Sequence, residues 1–217
     1  MAFELPAFIA FTGVDRLDVR DALGALSARY PIEWGILVDV ERQGEALFPD
    51  ARTRASMLAG SPLRWAAHVC GTQAQLIANT PERAKVDLSG FQRVQVNHSF
   101  AGSNESNVAS SCTFARRLGV RPVLQCSGAF PMDWRVDWLF DTSFGKGSRP
   151  STWPTLPSAG PFCGFSGGLN PDNVRDTVER IAAPSGALYW IDMESGVRTD
   201  GWLDVAKCEA VCRAVYG

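Results

Sequence analysis

Eight short apolar runs rich in β-forming residues alternate with amphipathic segments along the chain, and this alternation constrains the fold more than any other feature. The strand pattern falls at residues 8–14, 33–38, 64–70, 91–96, 121–125, 136–140, 162–165 and 188–191. The helical pattern falls between most of them, at 16–30, 52–59, 72–79, 103–118, 171–181 and 203–215. Runs that are apolar throughout suit a parallel sheet covered by helices. Eight in 217 residues match a closed (β/α)8 TIM barrel near its smallest size, whereas an open doubly wound sheet usually has fewer strands. One α/β domain over residues 1–217 is expected. The helical pattern fails after strand five, and after strand six Pro150, Pro154 and Pro157 predict an irregular loop.

Composition removes several function classes. A net charge of -2, with Lys and Arg scattered, offers no basic field for a nucleic-acid backbone. No apolar stretch reaches the roughly 20 residues of a membrane helix. Pro6 and Gly13 interrupt the first apolar run, which has no basic segment ahead of it, so a cytoplasmic protein is expected. The six cysteines (Cys70, Cys112, Cys126, Cys163, Cys208 and Cys212) form no Cys-x-x-Cys pair, and His68 and His98 are the only histidines. Buried free thiols are the expectation, with no disulfide framework, no metal and no cofactor.

A barrel places its active site where strands end on the C-terminal face. Polar residues crowd those positions: Thr12 and Asp15, Asp39, His68, Gln95, Asn97 and His98, Gln125 and Ser127, Asp141, Ser166, Asp192 and Glu194. Two segments stand out, Phe165-Ser166-Gly167-Gly168-Leu169 and Tyr189-Trp190-Ile191-Asp192-Met193-Glu194-Ser195-Gly196-Val197. Each reads as buried strand, small-residue turn and helix start, which directs backbone N–H groups and a helix dipole at one point. Two such turns side by side form an expected phosphate cradle. The simpler alternative is that these glycines serve only tight turns.

The chain resembles the phosphoribosylanthranilate isomerase family of tryptophan biosynthesis. The resemblance is carried by Trp138-Leu139-Phe140-Asp141-Thr142-Ser143-Phe144-Gly145-Lys146-Gly147, by Ser166-Gly167-Gly168-Leu169 with Asn173, and by Asp192-Met193-Glu194-Ser195-Gly196-Val197. Fainter echoes lie in Phe11-Thr12-Gly13-Val14, Trp34-Gly35-Ile36-Leu37-Val38 and Val94-Gln95-Val96-Asn97-His98. It implies a barrel that isomerises a phosphoribosyl aldose to a ketose by an Amadori rearrangement. Phosphate would rest on Gly167, Gly168, Ser195 and Gly196, with Gly145, Lys146 and Gly147 beside them. Asp141 would be the general acid, and Gln95, Asn97, Asp192 and Glu194 would bind substrate.

One position departs from the family. Its general base on strand one is a cysteine, and the matching residue here is Thr12, whose hydroxyl cannot take a proton near neutrality without a partner. Three readings therefore stand at this point. Another base could serve, from His68, Asp15, Glu194 or Cys70, with His68 best matched to neutral pH. The barrel could instead run a lyase or N-glycosidic cleavage on another ribose phosphate or nucleotide. Or it could bind a phosphorylated ligand without turnover. The polar stretch 39–52 after strand two adds Arg42 and Arg52, with Arg54 following, as candidate clamps for a carboxylate or second phosphate. Trp153 could cover a planar ring. The expected partner is a small phosphorylated sugar or nucleotide-like ligand, with no nucleic acid and no membrane, for a monomer or homodimer.

Overall fold

In the computed structural model, described for residues 3–99, 102–143, 147–157 and 159–217, the chain closes on itself as an eight-stranded barrel. The strands are β1 (Phe8–Thr12), β2 (Ile32–Val38), β3 (Trp65–Val69), β4 (Arg93–Val96), β5 (Arg121–Cys126), β6 (Asp137–Phe140), β7 (Cys163–Ser166) and β8 (Tyr189–Met193). All pair in parallel and in chain order, and β8 returns to β1 with Ala10 opposite Asp192. Helices α1 (Arg20–Ser27), α2 (Ala51–Leu58), α3 (Gly71–Asn79), α4 (Glu105–Leu118), α5 (Val174–Ile181) and α6 (Val205–Tyr216) wrap the outside. Among the described residues no helix separates β5 from β6 or β6 from β7, as the weak pattern there predicts.

Local details differ from the sequence expectation. The first helix is shorter than 16–30, because a separate 3-10 turn over Leu17–Val19 precedes α1. A small hairpin, β9 (Arg198–Thr199) with β10 (Trp202–Leu203), precedes α6. Its turn is Asp200-Gly201, with φ values of 51° and 83°. Two central residues at positive φ match the twist of a two-residue hairpin, and Asp-Gly is a favoured pair for it.

Side chains alternate across each strand, so a closed barrel sorts them into an outer and an inner layer. Outward residues such as Ile9, Phe11, Trp34, Ala67, Val94 and Ile191 join the helices in one large core. The interior holds a separate, smaller apolar layer of Phe8, Ala10, Val123, Leu139 and Trp190. Gly164 on β7 makes room for it, because a Cβ there would lie 2.1 Å from the Trp190 indole.

Below that layer the strands are not apolar throughout. Glu33, Arg93 and Asp137 are buried inside the barrel, with Arg93 reaching Glu33 at 2.6 Å and Asp137 at 3.1 Å. Arg64 and Arg121, each about half exposed, close the network from the rim at 2.9 and 2.8 Å. The Arg93 guanidinium also lies 4.3 Å from the Trp190 ring centroid, a cation–π contact that links this floor to the apolar layer. The inner face thus runs from an ionic floor through an apolar plug to a polar mouth.

Candidate active site

The mouth of the barrel opens into a cavity of about 770 Å³, lined by side chains from all eight strands or the loops that follow them. That volume suits a ligand of metabolite size. The inner-face alternation raises Thr12, His68, Gln95, Gln125, Asp141, Ser166 and Asp192 above the apolar plug, and all of them line the cavity.

Thr12 lies at the centre of a buried hydrogen-bond chain. Its hydroxyl donates to Asp192 Oδ1 at 2.7 Å, and its oxygen lies 3.2 Å from His68 Nε2. While Asp192 is ionised and takes the single hydroxyl proton, His68 meets the Thr12 oxygen as a donor through Nε2–H. Gly35 on β2 keeps this contact possible, since a Cβ there would meet Thr12 Oγ1 at 2.7 Å and His68 Nε2 at 2.9 Å.

Burial governs the proton affinities. Desolvation, aided by the Arg93 charge below, pushes the His68 imidazole down to about 3, so it stays neutral and is a poor proton acceptor. Desolvation pushes Asp192 up to about 7; the Thr12 hydrogen bond opposes the rise, and the Asp141, Glu194 and Glu33 carboxylates add to it. Glu194 is also raised by burial, against the pull of Arg198. Burial raises the Cys70 thiol as well, although Asn97 Nδ2 donates to its sulfur at 3.4 Å.

The Asp192 shift has a stability consequence with a definite sign. Between pH 3.8 and about 7 the native state holds a proton that the unfolded chain has released, so raising pH through this window weakens the fold. His68 acts oppositely, its contribution being lost as pH falls from 6.5 toward about 3. At about 1.4 kcal/mol per pKa unit, Asp192→Asn should gain on the order of 4 kcal/mol at pH 8, with the gain vanishing near pH 4. Urea unfolding of both proteins at the two pH values measures this, and an equal difference at both would contradict it.

Asp141, just past β6, accepts from Gln125 Nε2 at 2.9 Å and from the Ser143 backbone N–H and hydroxyl at 2.8 and 2.9 Å. These contacts fix the carboxyl at the cavity wall. Nearby, the loops after β6, β7 and β8 converge. Gly168 has φ +62°, and a Cβ on it would stand 2.6 Å from the Gly147 carbonyl; a Cβ on Gly147 would stand 2.6 Å from Ser195 Oγ. Asn173 Nδ2 donates to the Gly168 carbonyl at 2.8 Å and holds the turn.

Gly147, Gly167, Gly168 and Ser195 line the cavity, while Gly196 packs behind them with its Cα against Leu169. Gly145 and Lys146 lie outside the described residues. The helix starts differ from expectation. α5 begins at Val174, after a turn in which Asn170 Oδ1 accepts from the Asp172 and Asn173 N–H groups, and Ser195–Val197 is a single 3-10 turn. Neither glycine turn runs directly into an α-helix, so the helix dipole expected there does not start at the glycines.

Gln95, Asn97 and Glu194 line the cavity, with Gln95 Nε2 donating to Asn97 Oδ1 at 2.9 Å. Arg42 lines it too, whereas Arg52 is exposed on α2 and Arg54 is committed to the Pro49 carbonyl at 2.7 Å. Asp15 is buried in an ion pair with Arg198 and is not among the cavity residues. Trp153 packs edge-on against Phe140 and Phe165, which belong to the outer core, so it does not cover the mouth. Among the described residues no three His, Cys, Asp or Glu side chains are grouped to hold a metal ion, and no helix is long and apolar enough to cross a membrane.

Fold and cavity define a (β/α)8 barrel with carboxyl groups and glycine turns gathered at the C-terminal ends of its strands. The sequence model of the N-(5'-phosphoribosyl)anthranilate isomerase family matches residues 86–214, more than half of the chain, and the chain belongs to that family. Solved structures agree on the fold. N-(5'-phosphoribosyl)anthranilate isomerase from Pyrococcus furiosus aligns with a TM-score of 0.60 at 16% identity, covering 96% of this chain and 98% of that one. The enzyme from Thermococcus kodakaraensis gives 0.60 at 18%, covering 97% and 99%. A phosphoribosyl anthranilate isomerase bound to reduced 1-(o-carboxyphenylamino)-1-deoxyribulose 5-phosphate gives 0.61 at 15%, covering 98% of each chain. No curated protein sequence matches the chain.

Proposed function

We propose that this protein isomerises a phosphoribosyl aldose to the corresponding ketose, with phosphoribosylanthranilate as the leading substrate. The carrying observation is one cavity that holds Asp141 and Asp192 beside the glycine turns after β6, β7 and β8. Phosphate rests on the N–H groups around Gly147, Gly167, Gly168 and Ser195, where glycine lets the backbone approach an anion closely. The sugar then extends toward Thr12 and Asp192, and the group attached to C1 toward Asn97, Cys70 and Arg42. Asp141 donates a proton to the ring oxygen and opens the furanose. The six cysteines, all without a disulfide, fit a reducing compartment, and the cytoplasm is our proposed location.

A cavity built only for binding would not need two carboxyl groups beside an already anionic ligand, which favours catalysis over a sensor. The test is titration with reduced 1-(o-carboxyphenylamino)-1-deoxyribulose 5-phosphate, with and without inorganic phosphate, for the native protein and Gly168→Ala. Native binding that phosphate competes away is expected. A Cβ at Gly168 collides with the Gly147 carbonyl, so the variant should bind at least about tenfold more weakly, or about 1.4 kcal/mol. Equal affinity in both proteins, or indifference to phosphate, would remove the cradle from this reading.

A further inference from the structure

We propose that Asp192 is the general base that removes the C2 proton of the opened sugar, with Thr12 as its positioning residue. The proposal rests on the isomerase reading and names a residue for its unassigned step. Thr12 occupies the place where the resemblance puts a thiol, and its own proton is donated to Asp192 Oδ1 at 2.7 Å. The proton acceptor has therefore moved from β1 to the neighbouring β8, where Asp192 pairs opposite Ala10, two residues before Thr12. Asp192 lines the cavity and is held in one orientation by a hydroxyl that is itself buttressed by His68.

The other candidates are placed less well. Asp15 is paired with Arg198 and does not line the cavity, and His68 faces the Thr12 hydroxyl through Nε2. The Cys70 thiol accepts from Asn97, and Glu194 stands beyond the end of β8. The groups around Asp192 come from several strands: Thr12 on β1 donates to it, the Glu33, Asp141 and Glu194 carboxylates on or after β2, β6 and β8 repel its charge, His68 on β3 reaches it through Thr12, and Ser166 on β7 pairs opposite it. Burial and three carboxylates raise its proton affinity, and one hydroxyl stabilises the ionised form. Such a group is poised to accept a proton near neutrality.

The protons balance over the cycle. Asp141 gives its proton to the ring oxygen as the C1–O bond breaks, and the nitrogen lone pair forms a C1=N iminium. Asp192 takes the C2 proton, and the C–H electron pair becomes the C1=C2 bond of a neutral enaminol. Asp192 then returns its proton to C1 while Asp141 takes the proton from the C2 hydroxyl. Both carboxyl groups end as they began, and the product is an isomer of the substrate.

The experiment measures kcat and kcat/KM against pH for the native protein, Asp192→Asn and Thr12→Val, with binding of the reduced product analogue as the folding control. Asp192→Asn should lose about 10²–10⁴ in kcat while analogue affinity stays within a few-fold. Thr12→Val removes the hydrogen bond that stabilises ionised Asp192, so the acid limb of kcat/KM should move to higher pH. A purely structural threonine would lower activity without moving that limb. Asp192→Asn within about tenfold of native, or an unmoved limb in Thr12→Val, would overturn the assignment. A native protein that binds the analogue but never turns over substrate would instead sink the isomerase reading itself.

Discussion

Replacing Arg93 with methionine is expected to cost about 3–5 kcal/mol of folding stability, the usual result of removing one partner from a buried ion pair. Arg93 is 4% exposed and lies between Glu33 and Asp137, which are 1% and 4% exposed. Without it, two carboxylates remain in the barrel floor with only the rim arginines Arg64 and Arg121 to answer them. The contact with Trp190 is lost as well. The loss lies in stranded charge rather than in a strong net bond, so changing Glu33, Arg93 and Asp137 together to apolar residues of similar volume should recover most of it. Urea unfolding at pH 7 measures both variants, and a single-variant cost under about 1 kcal/mol would show the floor to be uncoupled from the fold. The floor also reaches the site, because the Arg93 charge helps keep His68 neutral.

Asp141→Asn should reduce turnover of phosphoribosylanthranilate by about 10²–10⁴ while leaving affinity for the reduced product analogue nearly unchanged. An amide keeps the shape and can still accept from the Ser143 N–H, but it cannot give a proton to the ring oxygen. Loss of kcat without loss of affinity identifies a group that acts in the transition state. A parallel fall in affinity would mean that Asp141 holds the loop after β6 and does no chemistry, and an unchanged kcat would place the acid elsewhere.

The barrel was legible in the sequence because its outer core speaks in long apolar runs with β-branched and aromatic residues, separated by helical periods. All eight observed strands overlap the expected ones, and the expected irregular stretch after β6 carries no helix among the described residues. The interior was less legible. Glu33, Arg93 and Asp137 stand two or four residues before Gly35, Gln95 and Asp141 in the same inward phase, a period-two signal masked by their apolar neighbours. The Asp200-Gly201 hairpin carries a local turn signal, but its two-residue strands are too short for a strand pattern to mark.

Within the site, the strand-end clustering brought Thr12, His68, Gln95, Asn97, Asp141, Asp192 and Glu194 to one cavity. The partnership of Thr12 with Asp192 could not be read, because it joins positions 180 residues apart and depends on the closure of β8 onto β1. Nor could the different fates of Arg42, which sits in the loop after β2 and lines the cavity, and of Arg52 and Arg54, which helix phase on α2 leaves exposed and buried respectively.

The most direct measurement is the change in fluorescence when purified native protein meets phosphoribosylanthranilate, with the product identified as the 1-deoxyribulose 5-phosphate isomer. Catalysed conversion that disappears in Asp141→Asn is the expected result. Absence of conversion in native protein that still binds the reduced product analogue would contradict the isomerase and leave a barrel that binds a phosphosugar without transforming it.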